Sequence, residues 1–308
     1  MTEEPAGRLL RIGSRGSDLA LWQARHIASR LKVQTELVVI RTAGDQIQHV
    51  SLNKVEGKGF FTKEIETALM SGQIDVAVHS YKDLPIDEPP GLEIAAVPAR
   101  GPVRDVVVTS DMAQRSVRLW GLREGSRVGT SSLRRKAQIL SRRPDLALVD
   151  LRGNVPTRVA KVASGALDAV VLAEAGVVRL NIGAQAHAVV ISPIEVSDVC
   201  PAPAQGALAI QIRCDDAWTR AEVQPLDDPP TVRAIEVERK LLARFGGGCH
   251  LPLGAYCQVD GANITLDALV AAPDGTERIE AHATGTSAAR VVDEVHAALV
   301  KGGAERYL

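Results

Sequence analysis

Short apolar runs alternate with amphipathic stretches over the first two thirds of the chain. Residues 18–31 carry apolar side chains at helical spacing behind Ser17, a good N-cap, and predict a helix, and residues 62–71 predict another. The apolar runs predict strands at residues 9–12, 36–41, 74–79, 92–97, 105–109, 146–151 and 207–213. This alternation predicts α/β lobes with mostly parallel sheets, whose ligands bind beyond the carboxyl ends of the strands.

The same landmarks recur halfway along the chain. Arg127-Val128-Gly129-Thr130 matches Arg11-Ile12-Gly13-Ser14, and residues 164–171 match residues 71–78, each beginning Ser-Gly and reaching an aspartate three positions later. We interpret the repetition as two similar lobes facing one another across a cleft, although short apolar strings can also match by chance. The predicted first lobe is 1–101 with 202–224, and the second is 105–200.

The last part of the chain has a different pattern. Residues 225–230 are acidic and proline-rich, typical of a linker. Beyond them the pattern predicts a helix, a glycine-rich loop, three strands and a last helix, at residues 231–244, 246–248, 255–259, 264–270, 278–284 and 288–300. We expect a compact α+β domain at 229–308.

The composition of the chain disfavours several classes of function. The 308 residues carry a net charge of -1 and only 3% aromatic side chains, which disfavours a nucleic-acid or membrane-surface binder. The first eleven residues resemble no signal peptide, and we expect a cytoplasmic protein. The four cysteines form no Cys-x-x-Cys pair, so we expect no metal site.

Cys249 follows three glycines and is the first candidate for chemistry. A thiolate on such a loop can carry a covalent attachment. The alternative is a helix stop followed by a small buried apolar residue.

Basic side chains collect where predicted strands end and helices begin. Thr130-Ser131-Ser132 precedes Arg134 and Arg135 in a hydroxyl-rich turn that suits an anion. We interpret Arg15, Arg134, Arg135 and Arg152 as ligands for a substrate with many carboxylates, whereas Arg142 and Arg143 are interpreted as coating a solvated helix face. Asp83, at a strand end among these cations, either moves protons and stabilises a cation or is an ordinary turn residue.

An ordered set of motifs, from about Leu10 to the C-terminus, resembles the porphobilinogen deaminase (hydroxymethylbilane synthase) family. The carriers are 11–17 with 19–24, Thr42-Ala43-Gly44-Asp45, Gly57-Lys58-Gly59-Phe60-Phe61, His79-Ser80-Tyr81-Lys82-Asp83-Leu84-Pro85, 129–135, Leu151-Arg152-Gly153-Asn154, Gln205-Gly206-Ala207 and Gly247-Gly248-Cys249. The resemblance implies two lobes like those of type II periplasmic binding proteins and a small C-terminal domain. It also implies a monomer.

The resemblance further implies a dipyrromethane cofactor joined by thioether to Cys249. Four porphobilinogen molecules are then condensed head to tail onto this primer with loss of ammonia, and the linear tetrapyrrole is released by hydrolysis. It implies that Asp83 is catalytic. The implied cofactor ligands are Ser80, Lys82, Asp83, Thr130, Ser132, Arg134, Arg135, Arg152 and Gly206. The implied substrate ligands are Arg15, Ser17, Phe61, Arg152, Arg158 and Arg179, with Lys54 and Lys58 on a mobile loop.

The chain departs from the family's pattern at three positions. Ala204 stands where glycine is common, Tyr81 where methionine is frequent, and Glu174 where a small residue is usual. We expect Ala204 to stiffen the crossing between the lobes and Glu174 to alter carboxylate binding near Arg179. Two alternatives are a non-enzymatic anion receptor and an anion-sensing regulatory module. The first leaves the third domain unexplained, and the second needs a DNA-binding segment for which too few residues precede the first strand.

Overall fold

Three β-sheets organise the computed structural model, which describes residues 8–42, 62–110, 119–185, 189–248 and 251–308. Of the elements up to residue 149, the first lobe holds β1 (Leu10–Ser14), α1 (Asp18–Ala28), β2 (Thr35–Val39), α2 (Lys63–Met70), β3 (Val76–Ser80) and β4 (Leu92–Ala96), and the second holds β5 (Asp105–Ser110), β6 (Arg127–Gly129), α3 (Leu133–Arg142) and β7 (Ala147–Val149). The remaining elements are α4 (Val155–Ala163), β8 (Ala169–Ala173), α5 (Glu174–Arg179), α6 (Ile182–Gln185), β9 (Val189–Pro193), β10 (Leu208–Arg213), α7 (Ala217–Val223), α8 (Pro229–Arg244), β11 (Leu253–Asp260), β12 (Asn263–Ala271), β13 (Arg278–Gly285) and α9 (Ala288–Lys301).

The two larger sheets have equivalent strand orders, β2-β1-β3-β10-β4 and β7-β6-β8-β5-β9. The matching landmarks also make matching contacts. The backbone N–H of Arg11 donates to the carboxylate of Asp75 at 3.0 Å, and that of Arg127 donates to Asp168 at 2.7 Å. The prediction of two similar α/β lobes followed by a small α+β domain is confirmed.

The expectation of mostly parallel sheets is wrong in part. In each large sheet the three strands at one side, β2-β1-β3 or β7-β6-β8, are parallel. On the other side β10 runs antiparallel to β3 and β4, and β5 runs antiparallel to β8 and β9. Both reversed strands are the first strand after the chain crosses from one lobe to the other. They therefore start at the crossing rather than returning from a helix of their own lobe, and a parallel crossover connection is not needed.

The crossing back to the first lobe has a tight backbone. Ala204 is fully buried and takes a φ of +63°, in the left-handed region that favours glycine. Gly206 takes a φ of +88°, and a Cβ there would lie 2.7 Å from the carbonyl oxygens of Gly101 and Pro102. The two chain crossings thus touch one another at Gly206, which leaves no room for a side chain.

The C-terminal domain packs α8 and α9 on its three-stranded antiparallel sheet, with Val237, Leu241, Leu266, Val295 and Leu299 at the centre of its core. It also contacts the second lobe. Gly275 lies so close to Leu140 that a Cβ would approach its carbonyl carbon to 2.4 Å, and Arg278 donates to the carbonyl of Asp198 at 2.9 Å.

Two further findings concern exposure. Arg143 was expected on a solvated helix face, but it is 5% exposed and bonds to the carbonyls of Leu119 and Leu122 and to Asp145. The segment that follows residue 118 folds over it, which the helix pattern alone cannot indicate. Within the described ranges, every helix is too short or too polar to cross a membrane.

Candidate functional site

The predicted site residues that the structure describes lie in the segments that leave the strands at one edge of each lobe. Arg15 and Ser17 follow β1, Lys82 and Asp83 follow β3, Thr130 and Ser132 follow β6, Arg152 follows β7, and Arg179 ends the helix after β8. Cys249, Phe61, Lys54 and Lys58 lie outside the described residues. The rest of the predicted set is therefore distributed over both lobes, as expected for a cleft.

The segment after β3 carries Lys82 and Asp83 on a single 3₁₀ turn, Tyr81–Asp83. The N–H of Tyr81 donates to the carbonyl of Ala207 at 3.1 Å, and the N–H of Leu84 closes the turn on the carbonyl of Tyr81 at 3.2 Å. Asp83 is exposed, whereas Lys82 is half-buried and donates to the side-chain oxygen of Gln205 at 3.2 Å. The turn therefore presents a carboxylate to the open side and holds an ammonium group behind it.

Burial lowers the pKa of Lys82 to about 8, against the attraction of the neighbouring Asp83 carboxylate. The guanidinium groups of Arg135 and Arg134 lower it further. An anion bound beside Lys82 would offset this desolvation and restore the charged form.

In the second lobe, two helices point their N-termini at the same region. Ser132 caps α3 by accepting from the N–H of Arg135 at 3.4 Å, and Asn154 caps α4 by accepting from the N–H of Thr157 at 2.9 Å. Arg158 lies in the first turns of α4, where its Nε donates to the carbonyl of Gly153 at 2.8 Å. Both helix starts thus add their dipoles and cationic side chains to one site.

Charged groups of both lobes act on the guanidinium of Arg158. Its pKa is lowered to about 10, first by burial and then by the charges of Arg135 and Arg152, and the carboxylate of Asp83 opposes this shift. Asp83 of the first lobe is thus within electrostatic range of Arg158 in the second. The structure brings together Lys82, Asp83, Arg135, Arg152 and Arg158 across the cleft.

Arg134 and Arg135 are the most buried of the predicted anion ligands, with 4% and 7% exposure. Both donate through Nη2 to the carboxylate of Asp105, each at 2.8 Å. Arg134 also donates to the carbonyl of Cys200 at 2.6 Å, and Arg135 donates to that of Val171 at 3.1 Å. Burial opposes ionisation of Asp105, but the two guanidinium charges outweigh it and hold its pKa well below the usual range.

Gln205 links this buried cluster to Lys82. Its Nε2 donates to Asp105 and to the carbonyl of Val103, each at 2.8 Å, while its Oε1 accepts from Lys82. Sequence reasoning included Gln205 only in a family motif and did not identify Asp105, which is an ordinary strand residue in the pattern. No local signal connects Asp105 with arginines about 30 positions away.

Arg179 lies where the lobes and the crossing meet. Its Nη2 donates to the carbonyl of Gly206 at 2.6 Å, and its guanidinium carbon is 5.7 Å from the ring centroid of Trp22 in the first lobe. Burial alone lowers its pKa to about 10. Such a half-buried, partly desolvated cation suits an anionic ligand.

Two other predicted residues have structural partners. Ser80 accepts a hydrogen bond from Nε2 of Gln23 at 2.8 Å. Glu174 was expected to act near Arg179, but both of its carboxylate oxygens accept from Arg104, at 3.0 and 3.2 Å. Glu174 is thus held by Arg104 in an ion pair at the chain crossing.

The arrangement can bind a ligand with several carboxylates and place one free carboxylate, Asp83, against it. Arg152 Nη2 and Arg135 Nε are buried without a hydrogen-bond partner among the described residues. Buried donors of this kind are costly unless a ligand accepts from them. Among the same residues, no group of three His, Cys, Asp or Glu side chains is arranged to hold a metal ion.

In a comparison with known proteins, two family models match consecutive parts of the chain. Residues 10–221 match "Porphobilinogen deaminase, dipyromethane cofactor binding domain", and residues 232–301 match "Porphobilinogen deaminase, C-terminal domain". A porphobilinogen deaminase of Syntrophobacter fumaroxidans is 44% identical over 98% of this chain and 97% of its own length. One from Geobacter metallireducens is 45% identical over 89% of this chain and 85% of its own length. Among solved structures, the periplasmic VFT2 domain of Bordetella pertussis BvgS is similar with a TM-score of 0.42 and 16% identity, covering 70% of this chain and 86% of that one.

Proposed function

Because this chain belongs to the porphobilinogen deaminase family, it is a transferase, and we propose that the cleft between its lobes joins four porphobilinogen molecules with Asp83 as the catalytic carboxylate. The reaction releases one ammonia for each unit added and ends with hydrolysis to hydroxymethylbilane, the linear tetrapyrrole used in haem and porphyrin biosynthesis. The observation that carries the assignment of the site is the convergence of half-buried cations from both lobes around Asp83.

The described residues fit the family's dipyrromethane cofactor. Each pyrrole of this group carries an acetate and a propionate, so the group presents four carboxylates. Arg152 and Arg135 each offer a buried donor that has no acceptor among the described residues. At Lys82, Arg158 and Arg179 burial disfavours the charged form. Both features are costly in the empty protein and favourable with carboxylates bound.

We assign the binding roles by position. Lys82, Thr130, Ser132, Arg152 and the buried Nε of Arg135 hold the cofactor carboxylates. Arg15, Ser17, Arg158 and Arg179 hold carboxylates of incoming substrate. Arg134 has its two Nη groups committed to Asp105 and Cys200, so its contribution to the cofactor is mainly its charge.

When bound, the dipyrromethane group, joined by thioether to Cys249, supplies the nucleophilic pyrrole carbon on which the chain grows. Asp83 accepts hydrogen bonds from pyrrole N–H groups and stabilises the positive charge that develops on the substrate as ammonia leaves. The charges of Lys82 and Arg158 lie within electrostatic range of the Asp83 carboxylate. The exposed Asp83 carboxylate would accept the proton that the nucleophilic pyrrole carbon loses when the new carbon–carbon bond forms, and would release it to solvent.

The expectations of a monomer and of a cytoplasmic location are also part of the proposal. Among the described cysteines, Cys200, Cys214 and Cys257 are free thiols, in keeping with a reducing compartment. We keep the lobe limits at 1–101 with 202–224 and 105–200, and the C-terminal domain at 229–308.

The assignment of Asp83 is tested by Asp83→Asn, with Asp260→Asn as the matched control because Asp260 is an exposed aspartate at the end of β11. Porphobilinogen consumption by Asp83→Asn should fall by at least about 100-fold, since both charge stabilisation and proton transfer are lost. The control should keep the parent rate. Parent-like turnover by Asp83→Asn would refute the assignment.

A further inference from the structure

Arg239 lies on α8 of the C-terminal domain and reaches the segment that carries Lys82 and Asp83. Its Nη1 donates to the carbonyl of Leu84 at 3.2 Å, and its Nη2 donates to the carbonyl of Pro85 at 2.5 Å. Its guanidinium carbon lies 4.6 Å from the ring centroid of Tyr81. The Arg239 side chain thus bonds to two consecutive carbonyls at the end of the 3₁₀ turn and covers the Tyr81 ring at the start of the turn.

From these contacts we propose that Arg239 is a positioning residue that sets the place of Asp83 from the C-terminal domain. The proposal rests on the function proposed above. The start of the turn is fixed on the first lobe by the bond from Tyr81 N–H to Ala207, whereas the end is fixed by Arg239. Asp83 is exposed between these two anchors, so its placement depends on both.

Helix α8 is bonded to the chain crossings, and these bonds fix the position of the helix that carries Arg239. The preceding residue, Glu238, is fully buried and accepts from both Nη groups of Arg100, at 2.7 and 3.0 Å. It also accepts from the backbone N–H of Ala204 at 2.6 Å. Successive residues of one helix therefore contact the crossing and the catalytic turn.

A second contact of the C-terminal domain reaches the same segment. Gly247 takes a φ of +67°, and a Cβ built there would lie 2.9 Å from Cγ1 of Ile86. Gly247 stands two residues before Cys249 in the sequence. The segment 84–86 is thus bonded to Arg239 and also lies against Gly247, so two parts of the C-terminal domain contact it.

Tyr81 adds a ring contact to the two hydrogen bonds of Arg239. Its ring provides the face that the guanidinium covers. Arginine suits this place because its planar fork can bridge two carbonyls while it stacks on a ring. Lysine has one donor centre and can keep the ring contact but not both carbonyls.

The test compares the parent with Arg239→Gln, Arg239→Lys and the control Arg233→Gln. Arg233 is on the same helix and also donates to backbone carbonyls, at Gly261 and Ala262, but these lie within the C-terminal domain. Cofactor loading is measured by intact mass, turnover of porphobilinogen is expressed per loaded protein, and hydrogen exchange is followed for residues 80–86.

Arg239→Gln should lower kcat at least about tenfold, because displacements near 1 Å at a reacting group cost up to about 100-fold. KM should stay within about twofold, since the carboxylate-binding cations are unchanged. Exchange at 80–86 should become faster. Arg239→Lys should fall between the parent and Arg239→Gln, while Arg233→Gln should keep the parent values of kcat and of exchange at 80–86.

A parent-like kcat per loaded Arg239→Gln protein, or unchanged exchange at 80–86, overturns the proposal. A loss of activity that follows lost cofactor alone overturns it as well. If Arg239→Gln fails to fold, Tyr81→Leu with Tyr81→Phe as its control removes only the ring contact, and Tyr81→Leu should lose about two- to tenfold in kcat. A parent that consumes no porphobilinogen would instead refute the proposed function, whatever the exchange shows.

Discussion

Asp105 carries the largest predicted effect of a single substitution on stability. Its carboxylate is fully buried and accepts from Arg134, Arg135 and Gln205, each at 2.8 Å. In Asp105→Asn the side chain keeps its shape but loses its charge, and one oxygen becomes an NH₂ group that faces a guanidinium donor. One arginine hydrogen bond is lost, the other keeps only a neutral acceptor, and two buried cations are left without their counter-charge.

We expect Asp105→Asn to lower the free energy of unfolding by about 3–5 kcal/mol, the usual cost of breaking a buried ion pair from one side. The matched control is Asp293→Asn, which removes a similar aspartate from a pair with Arg244 in which both side chains are more than half exposed. The control should cost less than about 1 kcal/mol. Urea unfolding followed by circular dichroism measures both.

The pH dependence gives a second check. The folded-state pKa of Asp105 lies well below its usual range. Its stabilisation is therefore complete above the unfolded-state pKa of about 3.9 and is lost only as the pH falls through the lower folded value. The difference between parent and Asp105→Asn should be equal at pH 7 and pH 5. If Asp105→Asn costs no more than Asp293→Asn, the buried cluster does not hold the lobe together as we have argued.

Three further predictions follow from the site and the crossing. Gly206→Ala should cost at least about 3 kcal/mol because its Cβ would meet two backbone carbonyls, whereas Gly165→Ala, also at positive φ but with open space, should cost about 1–2 kcal/mol in urea unfolding. Arg179→Met should lower kcat/KM at least about tenfold. It should change the free energy of unfolding by less than about 1 kcal/mol, because the partly desolvated charge of Arg179 is costly without a ligand. A loss of stability as large as the loss of activity would contradict this. The pKa of Lys82 is about 8 in the ligand-free protein, so its side chain is charged below that pH and neutral above it. The value of kcat/KM should therefore fall above pH 8 in the parent, and fall less in Lys82→Arg. Identical pH profiles of the two proteins would contradict this prediction.

The repeated architecture was predictable because its signals are local. The Ser-Gly helix endings and the aspartates that follow them lie within a few residues of the strands they introduce. Asp75 and Asp168 consequently make equivalent contacts in the two lobes. The reversed strands β5 and β10 were not predictable, because their direction depends on a crossing between lobes that leaves no mark on the pattern of the strand itself.

The site was predicted as a set of cations at strand ends, and this is where most of its described members lie. The pattern could not tell which arginines are exposed to a ligand and which are tied to the protein. Arg134 resembles an anion ligand by position, but the distant Asp105 and Cys200 occupy its donors. Arg239 had no signal either, since its contacts are to carbonyls about 155 positions earlier in the chain.

The covalent cofactor is the central claim, and the intact mass of the purified protein tests it most directly, beside a Cys249→Ser variant. We predict that the parent carries the added mass of two condensed pyrrole units and that the variant does not. An unmodified parent that gains no mass when incubated with porphobilinogen would contradict the assignment of Cys249, and with it the proposed use of the cleft.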